Sequence, residues 1–193
     1  MKKTSSQPQT ICAIDASTNN FAFAFYLNKI LIEHGKINFE GNNIYEKVID
    51  ASAKVKSFFN YYDKVDAIVI EHTVFMNSPK TAADLALVQG AIIGAAGLAN
   101  IHIIGRVSPI TWQSYLGNKK LSKEEQLQIR SLNPGKSDSW YKSYERDFRK
   151  RRTIKLLEVA YDKKINDYDV ADAAGIGHWA INNWEKAVKF DKD

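Results

Sequence analysis

The chain has 193 residues, 45% of them hydrophobic and 25% charged, with a net charge of +5. That size and balance describe one well-cored globular domain and exclude a disordered or fibrous chain. Its one cysteine, Cys12, excludes a disulfide framework and fits a reducing, cytoplasmic setting.

The opening "MKKTSSQPQT" has two lysines but no apolar run behind them. Residues 1–9 are therefore expected to be a flexible tail, not a signal peptide, and residues 10–193 a single domain. "ICAIDAS" is an apolar, β-branched run ending in a polar turn, the mark of a buried strand. "FAFAFYL" and "KILIEHGKI", split by "NK", read as two antiparallel strands. Over 44–62 the apolar residues Ile44, Val48, Ile49, Val55, Phe58 and Phe59 recur at helical spacing. "DAIVIEH" is another buried strand. "SPKTAADLALVQGAIIGAAGLAN" has a Ser cap and Pro at the first helical position, then continues as a long apolar helix. Its apolar run contains Gln89 and is expected to be too short to span a bilayer. "IHIIGRV" is a fifth strand, and "SPITWQSYLG" a short capped helix ending at Gly117. From 118 to about 146 periodicity is lost around the turn cluster "LNPGKSDSW", and a long basic loop is expected. "RDFRKRRTIKLLEVAYDKK" and "DVADAAGIGHWAINNWEKAVKF" read as the last two helices. The order gives an α/β domain: a five-stranded mixed sheet, three antiparallel strands plus two more, flanked by helices.

The stretch "DYDVADAAGIGHWA" puts Asp169 and Asp172 one turn apart on one helix face, where like charges repel. The helix dipole favours acids at its start, which accounts for Asp167 and Asp169 but less well for Asp172. Asp15 closes the first strand and Glu71 the fourth, and such strand ends form the ligand crevice of α/β sheets. Alone, each would mark only where a strand leaves the core. Together the four acids are hard oxygen donors suited to magnesium or manganese. Two such ions about 3.5–4 Å apart activate a water and stabilise the leaving oxygen of a phosphodiester. Zinc is disfavoured, because His34, His72, His102 and His178 show no paired ligand spacing. Residues 118–152 hold eleven Lys and Arg against five acids, a net of +6, while the remainder carries −1. That asymmetry suggests an anionic partner, most simply nucleic acid, or else a solvated charged loop.

Four blocks, "CAIDASTNNFAFAF", "AIVIEHTVFMNSPKTAADLALVQGAIIGAA", "VSPITWQSYLG" and "DYDVADAAGIGHWA", resemble in order the motifs of RuvC-like Holliday-junction resolvases. The resemblance implies a ribonuclease H-like fold and a homodimeric, magnesium-dependent endonuclease that nicks four-way DNA junctions symmetrically. It implies two metal ions, with manganese as a substitute, and neither an organic cofactor nor a membrane. It places the catalytic, metal-binding acids at Asp15, Glu71, Asp169 and Asp172, and the basic residues before the penultimate helix at Arg149, Lys150, Arg151 and Arg152. These four, with Lys119 and Lys120, are expected to contact DNA. So is Phe75, in the loop where the family stacks an aromatic on a base; the spacing is one residue longer here, so Val74 is an alternative.

The departures are as informative. The family's Pro-Gly and Thr-Gly become Ala16-Ser17 and Phe21-Ala22, and a Lys becomes Gln113. The basic stretch is longer and contains Trp140, Tyr141 and Tyr144, which either stack on bases or pin the loop. Such divergence resembles a bacteriophage or mobile-element member, acting in the host-cell cytoplasm. Competing readings are a ribonuclease H acting on RNA–DNA hybrids and a broader fork or flap endonuclease. Helix 81–99 has two small-residue faces, one for the sheet and one for a second subunit or the loop 118–146.

Overall fold

The computed structural model describes residues 8–62, 64–72, 78–118 and 120–189. Among these, β1 (Thr10–Ala16), β2 (Asn20–Leu27), β3 (Ile30–Asn38), β4 (Ala67–Glu71) and β5 (Ile103–Val107) form one sheet in the spatial order β3-β2-β1-β4-β5. The first three are mutually antiparallel, and β1, β4 and β5 run parallel. This is the mixed sheet expected from the sequence. The β2–β3 hairpin turns on Asn28 and Lys29, both with positive φ (49° and 71°), as a tight two-residue turn demands.

Strand β2 shows why the two faces differ. Its alternation sends Phe21, Phe23 and Phe25 to one side, where they pack with Phe58 and Phe59 of α1 (Ile44–Tyr61) and with Val88 and Ile92 of α2 (Pro79–Leu98). Ala22, Ala24 and Tyr26 point to the other side, into a core shared with α6 (Tyr168–Asn182). Alanine on this face leaves room for a helix to lie close.

The remaining helices are α3 (Pro109–Tyr115), α4 (Lys123–Leu132), α5 (Asp138–Tyr161) and α7 (Trp184–Ala187). The stretch 118–146, expected as a loop, is instead α4 and the first two turns of α5. A reciprocal capping box, Ser122 with Glu125, starts α4, and Ser137 caps α5. The pattern is hard to read because these helices bury only a narrow stripe: Leu121, Ile129 and Tyr141, with Trp140, Tyr144 and Phe148 packed around them. The segment 169–190, expected as one helix, breaks at Asn183. Its backbone leaves the helical region, and its side-chain amide donates to the Trp179 carbonyl at 3.1 Å.

Helix α2 also differs from expectation. With 20 residues it is, by length and composition, long and apolar enough to cross a membrane. Here its inner side packs on the sheet and α1 through Val88, Ile92, Ala95 and Ala96. Its outer side stays open: Leu87, Ile93 and Leu98 are exposed, and Gly90 and Gly94 have no atom near where a Cβ would stand.

Candidate active site

One row of residues across the sheet sets the site. Asp15 pairs with Ala22, and Ala22 with Lys36; on the other side Glu71 lies one step past the Ile14–Ile70 pair and opposite Val107. The row Lys36–Ala22–Asp15–Glu71–Val107 therefore crosses all five strands at the C-terminal end of the parallel ones. Its side chains share the face on which α6 lies. Helix α6 comes down on this row through small residues. At Gly177 an added Cβ would stand 2.1 Å from the Tyr26 ring and 2.9 Å from Ala13 Cβ, and the Tyr26 hydroxyl donates to the Ala174 carbonyl at 2.6 Å. Asp167 caps the helix, accepting from the N–H groups of Asp169 and Val170. The first two turns thus present Asp169 and Asp172 to the strand-end acids.

The four acids feel one another. Burial raises the Asp15 pKa well above the ordinary carboxylate range, and the charges of Asp172, Glu71 and Asp169 add to the rise. Burial likewise raises Glu71 to about 6, opposed by a hydrogen bond from Trp112. Asp172 is raised by burial, with Lys150 working the other way. Two lysines offset the negative charge. Lys150 Nζ lies 3.0 Å from Asp172, and Lys36 bridges Asp167 and Asp169, the latter at 3.2 Å. For Lys150 burial disfavours the charge, but Asp172, Asp169 and Asp15 outweigh it and push the pKa up.

The donor set suits a hard divalent cation: four carboxylates, plus the Asn20 amide oxygen, which is buried without a hydrogen-bond partner while the amide nitrogen donates to Asp169 at 3.4 Å. Among the described residues no three acids, histidines or cysteines converge on one point as around a bound ion. The lysine ion pairs hold Asp172 and Asp169 in this arrangement.

Asp15, Glu71, Asp169 and Asp172 are thus brought to one place. Phe75, its alternative Val74, and Lys119 lie outside the described residues. The run 149–152 goes round its helix, because successive residues turn by about 100°. Arg149 reaches inward, donating to Gln113 Oε1 at 3.1 Å and the Asn118 carbonyl at 3.0 Å. Lys150 enters the acid cluster, Arg151 is exposed over the Tyr144 ring, and Arg152 pairs with Glu125 at 3.0 Å. Lys120 is exposed beside Arg149.

Three residues were not singled out from sequence. Trp112, 1% exposed, donates its indole N–H to Glu71 Oε2 at 2.6 Å, and its ring sits where Gly175 has no Cβ. The spacing of "SPITWQSYLG" gives no sign that the indole meets Glu71. Lys36 and Asn20 come from β3 and β2, and only strand register brings them to Asp169.

No protein-family model matches the sequence, and no curated protein is similar to it in sequence. Solved structures are similar in shape. A Thermus thermophilus RuvC in complex with a Holliday junction substrate matches with a TM-score of 0.65 at 13% identity, covering 94% of this chain and 98% of that one. A second Thermus thermophilus RuvC structure matches at 0.62 and 14% identity, covering 93% and 98%. At this identity the likeness establishes architecture, and the chain has the ribonuclease H-like α/β fold in the form seen in RuvC.

Proposed function

We propose that this chain is a structure-selective DNA endonuclease that resolves four-way junctions by metal-dependent phosphodiester hydrolysis. The observation that carries the reading is the clustering of four carboxylates and two lysines at one end of the sheet. The fold adds support, since a RuvC of this architecture has been captured with a Holliday junction substrate.

Asp15, Glu71, Asp169 and Asp172 would hold magnesium or manganese, which when bound polarises the phosphodiester and lowers the pKa of the attacking water. The chain's own residues prepare the rest. Trp112 orients the Glu71 carboxylate and favours its ionised form. Lys150 carries a positive charge into the acid cluster, where a phosphate must approach four negative groups. Lys36 ties β3 to the first turn of α6 and offsets Asp167 and Asp169. Exposed Lys120, Lys142, Arg146 and Arg151 supply phosphate contacts that carry no base sequence. The open apolar side of α2 suits a second copy of the chain, and a two-fold dimer would place two sites for symmetric cutting.

The test is a cleavage panel in magnesium: four-way junction, fork, flap, plain duplex and RNA–DNA hybrid. Paired symmetric nicks in the junction are expected. Asp15→Asn should abolish them while junction binding survives, since affinity comes mainly from Lys and Arg. Cutting of the hybrid with the junction left intact would replace this reading with a ribonuclease H.

A further inference from the structure

We propose that the basic hollow between α3, the end of β5 and α7 is a second phosphate-binding site, which seats the DNA backbone on the far side of Glu71 from α5. The proposal rests on the nuclease reading and extends its DNA path to a part of the chain outside the basic segment 118–152.

The hollow has a volume of about 390 Å³ and is edged by His72, Arg106, Ser108, Thr111, Lys186 and Lys189. Its floor is apolar, formed by Val107 and Trp179. Among the described residues that line it none is acidic. Packing builds it. Gly105 has no Cβ, and one placed there would stand 3.4 Å from Ala187 and 3.0 Å from Val69, so α7 can press onto β5. Trp184 and Ala187 are buried in that contact and anchor the short helix. Lys186 and Lys189 stay exposed at the rim. The Ser108 and Thr111 hydroxyls lie 2.7 Å apart on the opposite rim. Hydroxyls, a guanidinium and ammonium groups around one concavity are the groups that bind phosphate oxygens.

Position makes the site useful. Glu71 pairs directly with Val107, so one strand spacing, about 4.8 Å, separates the catalytic strand end from this hollow. The His72 N–H donates to the Val107 carbonyl at 2.7 Å and holds the two strand ends together. On the other flank of α3 a second hollow is lined by Lys120, Arg149 and Gln113. Helix α3 is therefore a ridge between two basic depressions, with Ile110, 75% exposed, along it and Trp112 beneath, bonded to Glu71. A backbone crossing this ridge meets positive charge on both sides of the cleavage position.

The experiment is fluorescence anisotropy of a labelled four-way junction, and of a plain duplex, in calcium over a range of salt. Lys186→Gln/Lys189→Gln should weaken binding roughly tenfold at moderate salt. It should also lower the slope of log affinity against log salt by about 0.9 for each phosphate that no longer meets a cation. Both residues are exposed, and an unchanged circular dichroism melt confirms the fold. Methylphosphonate substitution, which neutralises one phosphate at a time, gives the second readout. One or two positions near the cleavage point should weaken the wild type and have no further effect on the variant. Wild-type affinity and slope in the variant would overturn the proposal. So would a variant weakened by every neutral phosphate as much as the wild type. Failure of the nuclease reading is seen separately: wild-type protein would then leave the junction uncut in magnesium, whatever the calcium binding series gives.

Discussion

A carboxylate buried at the end of a strand keeps its charge only with help, and among the described residues Glu71 has one neutral side-chain donor, the Trp112 indole, at 2.6 Å. Burial raises its pKa to about 6 in spite of that bond. Trp112→Phe keeps an aromatic ring against Gly175 and removes the N–H. A hydrogen bond to a charged group is worth about 1.5–3 kcal/mol, and one pKa unit is about 1.4 kcal/mol. In the metal-free protein the Glu71 titration should therefore move up by about one to two pH units; a carboxyl-detected NMR titration of wild type and variant measures this. Stability runs the opposite way. A carboxyl whose folded pKa exceeds its unfolded value stabilises the fold below the unfolded value and loses that contribution as pH rises through the folded one. In the metal-free protein Glu71 should thus cost about 2 kcal/mol between pH 4.5 and pH 7, and Asp15 adds in the same direction. Urea melts across that range should show the loss, and Glu71→Gln should flatten it. The four acids were legible in the sequence because charge at the end of an apolar strand, or one turn apart on a face of an Ala/Gly-rich helix, is chemically conspicuous. Lys36, Asn20 and Trp112 were not, because they reach the acids through register and packing, which spacing does not encode.

Among the elements, α6 governs how close the acids come to the sheet. Its alanines and glycines were visible in "DVADAAGIGHWA", but the reason they are small lies across the core, in Tyr26 and Trp112. Gly177→Ala should cost about 1–3 kcal/mol, since the new methyl overlaps a buried ring and Ala13, with little room to give. Thermal melts should show the drop, and any residual folded protein should cleave slowly, because lifting α6 separates Asp169 and Asp172 from Asp15. The strands were legible for a simple reason: "FAFAFYL" alternates large and small residues, and period two has one structural meaning. Helix α4 and the first two turns of α5 were not, because their burial is confined to a few side chains and their other faces are charged. A capping box, "SKEE", was the one local signal at the start of α4. The helical form of 149–152 also alters the basic run. Read as one run these four charges would serve one surface, but on a helix they serve four: an inward clamp, the acid cluster, solvent, and α4.

At the scale of the molecule, the sheet separates two large cores, and α2 covers one of them while leaving its own outer side apolar. A helix apolar on every side is normally enclosed. Wild-type protein should therefore sediment as a dimer at micromolar concentration. Gly90→Trp, at a position with open space around it, should give a folded monomer unable to cut both strands of a junction in concert. A monomeric wild type, free and on DNA, would remove the symmetric-cutting reading. The third, small cluster has a different consequence. Helix α4 rests mainly on α5, through Leu121, Ile129 and Tyr141, and takes no part in either large core. Such an arm opens at a free energy well below that of global unfolding. In native-state hydrogen exchange its amides should therefore exchange through local excursions, while the inner half of α5, with Thr153 and Leu157 buried, should exchange only on global unfolding. Lys150 sits near the boundary between these two regimes. On the proposed function, substrate that engages the arm would supply the free energy of its ordering, and a loosely anchored arm would give the chain a reach that adapts to branched DNA of differing geometry.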